Sequence, residues 1–115
     1  MVRKDKLSHE EFESLVAKAL ASIPEEFRDF LENVAVMIED EPPEDMPGVM
    51  GLYEGVPRVE RSINDCLLPD CITLYKGPIE RACRSPAEIE AEVRSTVLHE
   101  VGHFFGLEES QLEQL

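Results

Sequence analysis

Residues 85–106 constrain this chain more than any other stretch, because they specify one long helix and divide it into two faces. Ser85 suits an N-cap, Pro86 suits the first helical position, and Glu88 completes a capping box. Gly106 is the residue type that stops a helix in the left-handed conformation, so the helix is expected to run to about Phe105. At about 100° per residue, Val93, Val97, Val101, Phe104 and Phe105 fall on one broad side. His99 and His103 fall roughly opposite, and Glu100 lies on the flank. The rest of the fold must give the valine side a core and leave the histidine side open.

The polar side has the spacing H-E-x-x-H, from His99 to His103. Residues four apart share a helix face one turn apart, so both imidazoles can point at one Zn²⁺. Glu100 then lies beside the metal position and suits a general base toward a water. A catalytic Zn²⁺ takes three protein ligands and keeps one position open. Gly106 lets the chain reverse after His103. Glu109, three residues on, stands where H-E-x-x-H-x-x-G-x-x-H metalloproteases place their third histidine. A carboxylate is an ordinary zinc ligand, so Glu109 is the preferred third donor, with Glu108 or a water as alternatives. Two imidazoles and a carboxylate suit Zn²⁺, one ion per chain, better than Ca²⁺ or Mg²⁺. The remaining histidine, His9, sits at the start of an N-terminal helix and reads as exposed.

At 115 residues the chain reads as a single domain over 1–115. Its apolar runs are too short to span a bilayer, and no basic N-terminus leads into an apolar segment. A cytoplasmic protein without a membrane partner is the expectation. The net charge of −14 argues against nucleic acid, whose phosphates need a basic surface. Solubility accounts for that charge first; steering of cationic peptides is the second reading. Cys66, Cys71 and Cys83 are an odd set without a disulfide framework and read as small buried thiols. The alternative is a Cys66/Cys71 metal pair or redox bridge.

Upstream of the motif helix, the pattern is helices followed by a strand-and-loop middle. Ser8 and Glu11 form a capping box, and Phe12, Leu15, Val16, Ala19 and Leu20 follow a helical stripe. Pro24, Glu25 and Glu26 open a second helix with Phe27, Phe30 and Leu31 apolar. Residues 33–38 are β-branched and apolar and predict a buried strand. Gly51-Leu52-Tyr53-Glu54-Gly55 predicts a structured loop or short strand; turn punctuation is the first reading of its glycines, and close approach of backbone to another element is the second. Residues 71–75 predict a second strand, closed by Gly77-Pro78, and an edge beside the cleft where an extended peptide could pair. Ile79 to Ala82 predicts one short helical turn. Tyr53 and Tyr75 read as packing residues rather than oxyanion donors.

Taken together, these segments resemble the small bacterial zincin-like metallopeptidases, the minimal zincins. The resemblance covers most of the chain and is carried by Phe12 to Leu20, Pro24-Glu25-Glu26-Phe27, Asn33-Val34-Ala35-Val36, the Glu39-Asp40-Glu41-Pro42-Pro43 turn, Gly51-Leu52-Tyr53-Glu54-Gly55, Leu68-Pro69-Asp70, Ile72-Thr73-Leu74-Tyr75 and Val97-Leu98-His99-Glu100-Val101-Gly102-His103. It implies an α+β fold of minimal zincin type, with a small mixed β-sheet packed on the active-site helix plus N-terminal helices. It also implies zinc-dependent hydrolysis of a peptide or protein substrate, and an acidic residue after the glycine turn, which fits Glu109. The chain departs from larger zincins after the motif. No methionine follows His103, so there is no Met-turn, and six residues follow Glu109. A shallow site is the expectation, completed by a partner, a second copy or a short unfolded substrate. The competing function is a non-catalytic zincin-fold module that binds metal or protein; Glu100 would have no task as a base there.

Overall fold

The computed structural model describes residues 7–55, 69–104 and Gly106. Ser8 starts the first helix, α1 (His9–Ala21), as the sequence predicts. Its Oγ accepts from the Glu11 amide at 3.1 Å, and Glu11 Oε1 accepts from the Ser8 amide at 2.9 Å. These two bonds satisfy amides that the first helical turn leaves without a partner. Phe12, Val16 and Ala19 are buried, and Leu15 and Leu20 pack against them from the margin.

The second helix is shorter than its apolar spacing predicts. α2 (Glu25–Arg28) makes one turn and passes into a 3₁₀ turn over Asp29–Leu31. Arg28 folds back to the end of α1, donating Nη2 to the Ala21 carbonyl at 2.5 Å and Nε to the Ile23 carbonyl at 3.0 Å. The segment thus closes the C-terminal end of α1, where carbonyls lack partners, instead of extending as a helix of its own.

Among the described residues three strands form a mixed sheet in the order β1-β3-β2: β1 (Val34–Glu39), β2 (Gly51–Glu54) and β3 (Asp70–Tyr75). β3 runs parallel to β1, with Val36 opposite Ile72, and antiparallel to β2, with Tyr53 opposite Ile72. Two expectations are corrected here. The strand predicted as an edge, β3, is central: Ile72, Thr73, Leu74 and Tyr75 are buried on both faces of the sheet. The strand predicted as buried, β1, is an edge among the described residues. Val34, Val36 and Ile38 face the core, while Met37 turns outward and is 49% exposed. The hydrophobic run in β1 is real, but only alternate residues have a second layer to pack against.

α3 (Lys76–Ala82) follows β3 directly and takes in Gly77-Pro78, which the sequence assigned to a break. Proline is tolerated there because first-turn amides have no intrahelical acceptor. Within α3 a buried ion pair joins Lys76 Nζ to Glu80 Oε1 at 3.1 Å, and Glu80 Oε2 accepts from the Leu7 amide at 2.7 Å. That second bond ties the entry of α1 to α3.

The last helix, α4 (Pro86–Phe104), follows the expected course as far as Phe104; Phe105, its expected last residue, lies outside the described residues. Ser85 Oγ accepts from the Glu88 amide at 3.2 Å. Glu88 reaches back one residue further than a capping box requires, to the Arg84 amide at 2.9 Å. Gly106 has φ of 74°, the left-handed stop its residue type predicts. α4 packs on β2 and β3, and α1 packs on α4. Ile89, Val93, Val97 and Val101 are nearly or fully buried against Phe12, Ile72 and Leu74. Burying each such side chain stabilises by about 1.5–3 kcal/mol. The architecture is α+β, a small mixed sheet with the motif helix on one face. No helix among the described residues is long and apolar enough to cross a membrane.

Candidate active site

The valine stripe of α4 determines where the motif points. With Val97 and Val101 fully buried, His99 is turned to the rim and His103, one turn later, is exposed. Their ring centroids lie 6.1 Å apart and their planes meet at 74°. His99 Nδ1 lies 2.8 Å from the Ser95 carbonyl oxygen. A carbonyl can only accept, so Nδ1 carries a proton, which in the neutral ring leaves the lone pair on Nε2. This is the arrangement by which an acceptor behind the ring prepares a histidine for a metal.

Glu100 is held from the other side. Its Oε1 accepts from the Tyr53 backbone amide of β2 at 3.2 Å. In the antiparallel ladder alternate residues point their backbone groups away from the partner strand. The Met50 carbonyl accepts from Tyr75, so Gly51 and Tyr53 direct theirs away from β3. Among the described residues the strand edge beside the motif is therefore β2, in place of the one predicted for β3. His99 and Glu100 line an open groove of about 310 Å³ together with Glu92, Ser95 and Thr96 of α4. Gly48 and Met50, which lead into β2, form the opposite wall.

This groove depends on how closely β2 approaches α4, and Gly51 permits that approach. A Cβ at this position would meet Thr96 Cγ2 at 2.6 Å and the Thr73 carbonyl at 3.4 Å. Gly51→Ala is expected to destabilise the fold by about 1–3 kcal/mol, the cost of forcing extra volume into a packed contact. Gly51→Ala/Thr96→Ser removes the methyl in the way and keeps the hydroxyl, so it should recover most of the loss in chemical denaturation. An equal loss in both variants would show that the contact with Thr96 is not what requires glycine.

Neither tyrosine lines the groove. The Tyr53 hydroxyl donates to Asp70 Oδ2 at 2.8 Å, toward a separate hollow bordered by Asp29 and Phe30. Tyr75 is buried, and burial first, then the carboxylates of Glu54 and Glu39, push its phenol above the ordinary range. Cys83 is a buried free thiol raised chiefly by burial, and Cys71 is a half-buried free thiol. Cys66 lies outside the described residues. His9 is exposed and sits 3.6 Å from Glu13 on α1, far from the motif in sequence.

Among the described residues the candidate donors are the pair His99 and His103, with the Glu100 carboxylate next to His99 in the chain. Among the described residues no group of three or more His, Cys, Asp or Glu side chains could hold a metal. Glu109 and its alternative Glu108 lie outside the described residues. Sequence reasoning did not single out Tyr53 as the partner of Glu100. The contact is made by a backbone amide, which no residue type announces, although Gly51-Leu52-Tyr53-Glu54-Gly55 marked the strand that supplies it.

Residues 31–115 match the zincin-like metallopeptidases, and the chain belongs to that family. Its fold is also similar to a conserved hypothetical protein from Thermus thermophilus. The two are 31% identical, with 86% of this chain and 94% of that chain covered and a TM-score of 0.59. A comparison with curated proteins gave no match. The family match begins within the 3₁₀ turn before β1, so α1 lies outside it although α1 supplies Phe12 and Val16 to the core.

Proposed function

We propose that this chain is a zinc-dependent peptidase, with one Zn²⁺ held by His99, His103 and Glu109 and with Glu100 as general base. The observation that carries this reading is the placement of Glu100. Its carboxylate is oriented by the Tyr53 amide into the groove that His99 borders. When bound, Zn²⁺ supplies Lewis-acid activation of a water and of the scissile carbonyl. Glu100 takes the proton of the attacking water and then delivers it to the leaving amine. The bond from Tyr53 to Oε1 makes Oε2 the oxygen that carries the proton. The Ser95 carbonyl holds the His99 ring in one tautomer and orientation. A cytoplasmic setting belongs to this reading, and the free thiols of Cys71 and Cys83 suit it.

The test is to load the full chain with zinc near neutral pH, measure stoichiometry, and expose it to a peptide library read by mass spectrometry. One zinc per chain is expected, with cleavage that stops on chelation and returns when zinc is restored. Absence of both specific zinc and cleavage would overturn the proposal.

A further inference from the structure

We propose that Glu92 forms a subsite for a cationic side chain of the substrate, so that cleavage favours peptides carrying arginine or lysine near the scissile bond. This rests on the peptidase reading and names the substrate class for the same groove.

Glu92 lies two turns before His99 on the same face of α4 and lines the same groove. It is half-buried, and its Oε2 accepts from Thr96 Oγ1 at 3.1 Å, which sets the carboxylate against the groove wall. Among the described residues that hydroxyl is its hydrogen-bond partner, and the ion pairs formed by Lys76 and Arg81 lie elsewhere. A partly desolvated carboxylate with no counter-charge among the described residues gains most from an arriving cation, through a charge-assisted hydrogen bond.

The facing wall suits such a side chain. Gly48 and Met50 bring no charge, and a thioether packs well against the aliphatic stem of lysine or arginine. Glu92 is too distant to be a ligand of a metal at His99, since seven helical residues rise about 10.5 Å. An extended peptide covers that span in about three residues, which places the cation within three residues of the bond cut. The net charge of −14 draws cationic peptides toward the surface but cannot choose a position along them. Glu92 makes that choice.

The test compares two peptides identical except for arginine or citrulline, its uncharged isostere, at the position a library selects. Zinc-loaded wild type is expected to favour arginine at least about tenfold in kcat/KM. Glu92→Gln, which keeps an acceptor for Thr96, should bring the ratio close to one. Glu92→Lys should turn the preference toward a glutamate peptide. Glu13→Gln, an equal charge change on exposed α1, should keep the arginine preference. Equal cleavage of both peptides by wild type, or a preference that survives Glu92→Gln, overturns the subsite and leaves the peptidase reading standing. If wild type cleaves no peptide at all, the peptidase reading fails, and titration of the arginine peptide decides the subsite. Shifts at the Met50 and Thr96 amides that vanish in Glu92→Gln support it; their absence in wild type overturns it.

Discussion

Glu100→Gln is expected to lower kcat of the zinc-loaded chain by about 10²–10⁴-fold, the range a positioned general base supplies. Zinc content and thermal stability should stay close to wild type. Glutamine and glutamate have nearly equal helix propensity, so α4 is not disturbed. Glutamine also keeps a carbonyl oxygen where Oε1 accepts from the Tyr53 amide, so the side chain retains its anchor and loses only proton affinity. The prediction separates base chemistry from metal binding because glutamine keeps the size and the anchor of the side chain and removes its basicity. Turnover and metal content are the paired measurements. A fall in turnover with zinc intact assigns the base. Unchanged turnover would remove Glu100 from the chemistry and favour a module that binds metal or protein without catalysis. Parallel loss of zinc would mean that Glu100 acts through the metal.

Local signals in the chain translate directly into structure where the chemistry is local. Ser8 with Glu11, Ser85 at the head of α4 and Gly106 at its end act within four residues, and each is where the sequence places it. The valine stripe of α4 is legible for the same reason, since its period needs only a nearby core. Sheet order is different. Residues 34–38 and 71–75 are both β-branched apolar runs, and nothing local says which has neighbours on two sides. The central place of β3 depends on β2 joining it from across the chain, and β2 is only four residues long with a glycine at its head. The buried Lys76–Glu80 pair is illegible for a related reason: charged side chains four apart on a short helix read as surface until the Leu7 amide and the core close over them. At the site, the histidine pair is readable from spacing, while the backbone amide that orients Glu100 becomes visible only with the register of β2.

His103→Ala and Glu109→Ala should each weaken zinc binding by on the order of 10²–10³-fold. A structural zinc site is worth about 10–16 kcal/mol over its ligands, so one donor carries roughly 3–4 kcal/mol. The two variants ask different questions. His103 belongs to the described pair, with its ring 6.1 Å from that of His99, and its loss should leave one imidazole that cannot hold the ion. Glu109 tests whether the chain beyond Gly106, whose φ is 74°, returns a carboxylate to the pair. Linkage gives a second readout. A ligand at a hundred times its Kd stabilises the folded state by about 2.7 kcal/mol, so zinc should raise the Tm of wild type and raise that of either variant much less. Isothermal titration against a competing chelator supplies the affinities, and thermal scans with and without zinc supply the stabilisation. If His103→Ala loses zinc and Glu109→Ala keeps wild-type affinity, the third position belongs to Glu108 or to a water. Glu108→Ala then decides between them, because only a protein ligand can be lost by substitution. If neither variant changes affinity, zinc binds away from α4, and Glu100 would have no metal to work beside.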